Sequence, residues 1–103
     1  MHLIKRRTLV DYWTKNPAAK TSLSAWIYSM KAGEWTSMSD VQSSFSSAKV
    51  LNAERVRFEI SGGSFRLIAS FKFKKEGGGT VYVKFIGTHA QYDRINALTV
   101  SDF

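Results

Sequence analysis

The sequence predicts an α+β fold in which N-terminal helices pack on one face of a small antiparallel β-sheet. In the first half, apolar residues recur every three or four positions, the period of a helix face. In the second half they alternate with polar residues, the period of a strand. Glycine-bearing turns at Ser61-Gly62-Gly63-Ser64 and from Lys75 to Gly79 then fold the strands back on one another. A length of 103 residues admits one domain, 1-103, and 44% hydrophobic with 14% aromatic content suits a packed core rather than disorder.

Element by element, Met1 to Ile4 is short and apolar and fits an added edge strand. Leu9, Tyr12 and Trp13 follow helical spacing up to Lys15. Asn16-Pro17 restarts the pattern, with Asn16 as N-cap and Pro17 at the first helical position. Leu23, Trp26, Ile27 and Met30 fill the i, i+3, i+4, i+7 positions, and Gly33 offers a stop. A short third helix is predicted from about Met38 to Phe45, after which the serine-rich stretch to Ser47 ends in a loop. In Arg55 to Ile60, Val56, Phe58 and Ile60 point one way, Arg57 and Glu59 the other. Phe65, Leu67, Ala69, Phe71 and Phe73 share the apolar face of the next strand, with Arg66, Ile68, Ser70, Lys72 and Lys74 opposite. Val81, Val83 and Phe85 complete the apolar face; Thr80, Tyr82, Lys84 and Ile86 complete the other. The result is a three-stranded meander whose apolar face the helices cover.

Composition excludes several classes. There are no cysteines, so neither a disulfide framework nor a thiolate metal site is possible. No apolar run approaches the roughly 20 residues that span a bilayer. Lys5-Arg6-Arg7 places charge where an export signal needs apolar residues, so the cytoplasm is the expected location. Fifteen Lys and Arg against eight acids leave a net charge of +7. That balance points to a polyanionic partner: nucleic acid, an acidic protein, or both. A membrane surface is disfavoured, because no basic amphipathic helix with a wide apolar face stands out. The carboxylates are scattered and no His/Asp/Glu group has ligand spacing, so no metal site is predicted. The glycine run at 77–79 lacks the lysine and serine of a phosphate-cradling loop, and no Gly-x-Ser-x-Gly nucleophile elbow occurs.

The segment Phe85-Ile86-Gly87-Thr88-His89-Ala90-Gln91-Tyr92-Asp93 concentrates the chemistry. Gly87 breaks the strand, and Thr88 with Gln91 forms a capping box that starts a helix. His89 then lies in the first helical turn, where unpaired N–H groups and the helix dipole offer a phosphate site and favour a neutral imidazole. Tyr92 shares its face. The bland alternative is a surface histidine near a cap, with Tyr92 packed inward. His2, near the terminus, carries no comparable context.

The strand ending at Ile86 delivers His89 to one end of the polar sheet face. Arg57, Arg66, Lys72, Lys74 and Lys84 project from that face against a single acid, Glu59, with Tyr82 and Ile86 among them to stack or wedge against bases. A solvated face alone would also carry lysines, but this bias exceeds what solvation demands. Such a face suits RNA phosphodiester cleavage without metal. That reaction needs a base for the ribose 2′-hydroxyl, a cation for the phosphorane and an acid for the departing 5′ oxygen. His89 fits acid or base, Arg66 or Lys84 the clamp, and Tyr92 proton donor or stacking group.

The opening Met1-His2-Leu3-Ile4, the tryptophan-bearing second helix, Ser39-Asp40-Val41 to Phe45, Phe65-Arg66-Leu67-Ile68 and the segment from Val81 to Asp93 together resemble the HigB-type toxins. These are mRNA interferases of the RelE-like superfamily, from bacterial type II toxin–antitoxin systems. The resemblance runs to about Ile95. It implies a RelE-like fold, metal-independent endoribonuclease activity on mRNA, action on the translating ribosome, no cofactor, and inhibition by a cognate HigA-type helix-turn-helix antitoxin. It places a catalytic histidine at His89 and a phosphate-contacting arginine at Arg66. Lys84 stands where close relatives carry arginine, which keeps the charge but loses the bidentate fork. Glu59 stands where asparagine is expected; an anion there should weaken RNA binding unless it pairs with Arg57 or Arg66. Gln91 replaces a usual glutamate and keeps the capping role.

Two other readings compete: a non-catalytic RNA-binding module using the same basic face, and an interaction protein whose charge serves only an acidic partner. Trp13 and Trp35 are either exposed anchors for an antitoxin or core residues.

Overall fold

The computed structural model describes residues 1–103. Helical periodicity gives α1 (Arg6–Lys15), α2 (Lys20–Ala32) and α3 (Met38–Ser44), and the alternating half gives β3 (Arg55–Ile60), β4 (Phe65–Lys72) and β5 (Thr80–Thr88). The predicted apolar faces meet as anticipated. Leu9, Leu23, Trp26, Ile27, Met30 and Val41 from the helices share one core with Val56, Phe58, Ile60, Leu67, Ala69, Phe71, Val81 and Val83 from the sheet. Each large side chain buried there contributes roughly 1.5–3 kcal/mol.

Two short strands enlarge the meander to five. The apolar start forms β1 (His2–Ile4), which pairs parallel with β5 and makes the sheet mixed. The two-residue β2 (Lys49–Val50), with no alternating pattern long enough to announce it, pairs antiparallel with β3. The strand order is β1-β5-β4-β3-β2. The turn at Asn16 differs from expectation. Its side-chain amide donates back to the Tyr12 carbonyl (3.0 Å) and closes α1, while Pro17 opens a 3-10 turn at Pro17–Ala19 that leads into α2. Trp13 and Trp35 are both partly buried against the core. Trp35 lies edge-on to Phe71 and donates from Nε1 to Ser44 Oγ, so neither is a fully exposed anchor. Tyr28 on α2 is exposed instead, at 77%.

The most consequential departure is a bulge in β5. Pairing passes from Ile68↔Phe85 to Ala69↔Val83, which leaves Lys84 without an opposite residue. One extra residue reverses the alternation beyond it. Ile86 therefore joins the core, and Phe85 crosses to the basic face beside Ile68. The sequence pattern assigned these two residues the other way round. Ile86 is thus unavailable to wedge against a base.

The basic face is also partly covered. Arg55 shares the alternation of Arg57 and Glu59, yet is only 9% exposed, because its Nη1 donates to the carbonyls of Ala97 (3.1 Å) and Val100 (2.6 Å). The Asp102 amide donates to the Lys84 carbonyl (3.0 Å), so the C-terminal segment runs from β3 across to β5. Removing the guanidinium leaves two carbonyls without their charged donor, a loss of roughly 1.5–3 kcal/mol per bond. Arg55→Met should accordingly raise amide hydrogen exchange across residues 97–102 while leaving the β3–β4 ladder protected. Uniform loss of protection would show that the segment is part of the cooperative core.

The start of α3 is set by two acceptors. Ser37 Oγ accepts from the Asp40 amide, and the Asp40 carboxylate accepts from the Thr36 amide and hydroxyl. The backbone bond from Thr36, first, and that hydroxyl hold Asp40 below the usual carboxylate range. A depressed carboxylate stabilises the fold above its unfolded value, and that contribution is lost as pH falls through the folded one. Acid titration by NMR should therefore shift the Thr36 and Ser37 amides below the ordinary aspartate range, before global unfolding.

Candidate active site

The end of β5 and the helical turn α4 (His89–Tyr92) build the site. The Thr88 hydroxyl accepts from the Gln91 amide (3.1 Å), and Gln91 Oε1 accepts from the Thr88 amide (2.9 Å), completing the anticipated capping box. Gly87 is required by close approach: a Cβ there would lie 2.8 Å from Gln91 Oε1 and 2.6 Å from the Phe85 ring.

One expectation is corrected here. α4 is a single turn, the Thr88 and Gln91 amides are spent on the box, and the His89 amide donates to the Ser64 carbonyl (3.2 Å). No open cradle of N–H groups and little dipole remain for a phosphate, so anion binding falls to side chains.

His89 is half-exposed at the rim of the sheet, with Nδ1 3.3 Å from Asp93 Oδ2. Sequence reading missed Asp93 as a partner, although its i,i+4 spacing was the available signal. Carboxylate contact at Nδ1 leaves Nε2 facing away from the protein's own acceptor.

Tyr92 turns onto the sheet face. Its ring lies over the guanidinium carbons of Arg66 (4.9 Å) and Arg57 (5.5 Å) and edge-on to Phe85 (6.2 Å). The bulge that puts Phe85 on this face therefore supplies the platform for Tyr92. Glu59, opposite Arg66 in the ladder, bridges both arginines: Oε1 lies 3.3 Å from Arg57 Nε and Oε2 3.3 Å from Arg66 Nε. Arg66 Nε donates to it, whereas Arg57 Nε is buried with no well-aligned acceptor. The pairing with Arg57 or Arg66 that the sequence left open is thus present with both.

The remaining cations lie elsewhere on the face. Lys84 Nζ sits over the Tyr82 ring (5.5 Å). With Tyr82, Lys72, Ser70 and Glu54 it lines a shallow cavity of about 260 Å³. Lys72 pairs with Thr80 at the far end of the ladder from Thr88, and Lys74 lies exposed beyond the end of β4. The structure thus groups His89, Tyr92, Arg66, Arg57, Glu59 and Asp93 at one end, and Lys84, Lys72 and Tyr82 as a second basic group.

No helix is long and apolar enough to cross a membrane. Comparison with curated proteins finds no match for the chain. The family described as HigB_toxin, RelE-like toxic component of a toxin-antitoxin system, matches residues 19–95, which include the helices α2 and α3, the meander and α4. By that match over three-quarters of its length, on an α+β fold with a five-stranded sheet, the chain belongs to the HigB toxin family of RelE-like toxins, whose partner is an antitoxin.

Proposed function

We propose that this toxin, acting as a single domain, is a metal-independent endoribonuclease that cleaves mRNA on the translating ribosome in the cytoplasm, and that a HigA-type antitoxin restrains it. The observation that carries the reading is that one helical turn, α4, carries both His89, with Asp93 3.3 Å from its Nδ1, and Tyr92, whose ring covers Arg57 and Arg66.

The chemistry follows from those contacts. With its Nδ1 proton toward Asp93, His89 presents Nε2 to accept the proton of a ribose 2′-hydroxyl. The 2′ oxygen bonds to phosphorus while the bond to the 5′ oxygen breaks. Arg66 steadies the charge of the phosphorane, and Tyr92 donates a proton to the departing oxygen. The products are a 2′,3′-cyclic phosphate and a 5′-hydroxyl. Arg66 fits the clamp better than Lys84, because its planar fork suits a phosphate and it pairs with Gly87, two residues from His89. Arg57 adds charge beside the scissile phosphate, while Lys72, Lys74, Lys84 and Tyr82 hold flanking nucleotides.

The test is cleavage of a defined mRNA by purified protein, free in EDTA and on ribosomes in magnesium, with His89→Ala alongside. Cleavage by the parent in either setting and none by the variant supports the reading. Salt-sensitive RNA binding with no cleavage in any lane replaces it with the non-catalytic RNA-binding module.

A further inference from the structure

Two arginines beside one phosphate site normally make a strong anion trap, and here a carboxylate sits between them. The side chains of Arg57, Glu59 and Arg66 are each about four-fifths buried, at 20%, 20% and 18% exposure. Their mutual attraction is therefore less screened than that of a surface pair. The nearest atoms to the Glu59 carboxylate are the two Nε groups. Tyr92 lies over both guanidiniums, and Arg66 donates to Glu59 from Nε, which leaves the Nη groups of the pair for a phosphate. Any phosphate that takes them comes close to the Glu59 carboxylate, and like charges in a partly buried site repel strongly.

We propose that Glu59 is an internal counter-anion that weakens the arginine pair for any phosphate, so that single phosphates are left unbound while a strand held by additional contacts is retained. The proposal rests on reading this face as the RNA surface. A lone phosphate meets two forks and one like charge. A strand also meets Lys84, Lys72 and Tyr82 in the neighbouring cavity, and these contacts offset the repulsion.

The probes are inorganic phosphate and a mixed-sequence DNA oligonucleotide, which lacks the 2′-hydroxyl needed for cleavage. The parent should bind the oligonucleotide and ignore millimolar phosphate. Glu59→Gln should bind phosphate about tenfold more tightly. Unchanged or weaker phosphate binding by the variant overturns the proposal and makes Glu59 a brace that merely orients the arginines. A second measurement on the parent guards against misfolding of the variant. Saturation with oligonucleotide should shift the Arg57 and Arg66 Nε–H resonances and the Glu59 carboxyl carbon; no shift overturns the proposal. Neither readout needs cleavage. A parent that cuts no RNA but shows these shifts would remove the nuclease reading and leave the counter-anion standing. A parent that ignores the oligonucleotide removes both.

Discussion

Replacing His89 with alanine should lower the rate of RNA cleavage by about 10²–10⁴-fold, the usual contribution of a positioned acid–base group. RNA affinity should stay within a few-fold, because Arg57, Arg66 and the Lys84 group are untouched. Fold stability should be almost unchanged, since the side chain is half-exposed and its one ion contact, to Asp93, is on the surface. Single-turnover cleavage and oligonucleotide binding, measured on the same preparation, check all three. A variant that cleaves at the parental rate would assign His89 to the rim of a binding face and leave the base to be found elsewhere.

Gly79→Ala should be the most damaging single-methyl change in the chain. The residue sits immediately before β5, and its carbonyl accepts from the His2 amide (2.9 Å) that starts β1. A Cβ at this position would run into the Lys72 carbonyl oxygen and lie 2.9 Å from both the Lys72 carbonyl carbon and Phe73 Cα. These are backbone atoms and cannot swing aside as a side chain can. Relief requires parting the β4–β5 hairpin at its turn end and loosening the parallel edge strand with it. A cost of about 3 kcal/mol is the upper range for overpacking, and in a domain of this size it lowers Tm by roughly 10–20 °C. Thermal unfolding followed by circular dichroism measures it. A drop below a few degrees would mean that the hairpin end yields readily.

Much of the architecture was legible because burial has a period. Leu23, Trp26, Ile27 and Met30 could only share one helix face, and Val56, Phe58 and Ile60 one strand face; all seven are in the core. The capping box at Thr88 and Gln91 was equally readable, since it is local chemistry within four residues. The alternation failed at Lys84, where a bulge exchanged Phe85 and Ile86. A bulge depends on the partner strand's register, which alternation within one strand does not encode. The helix-terminus phosphate site failed for a related reason, because the Ser64 carbonyl that occupies the His89 amide comes from the far side of a hairpin.

By itself the sequence determined the fold class, the cationic face, and the placement of His89 at the end of the last strand. Each of these follows from periodicity, charge count or local capping. Only the tertiary structure decided which groups act together. It set Tyr92 over Arg57 and Arg66, joined those arginines through Glu59, backed His89 with Asp93, and drew the C-terminal segment over Arg55. Most of these contacts depend on strand register and on a chain that returns across the sheet. The one local pair, His89 and Asp93, was offered by its spacing, but spacing alone does not select a side-chain rotamer.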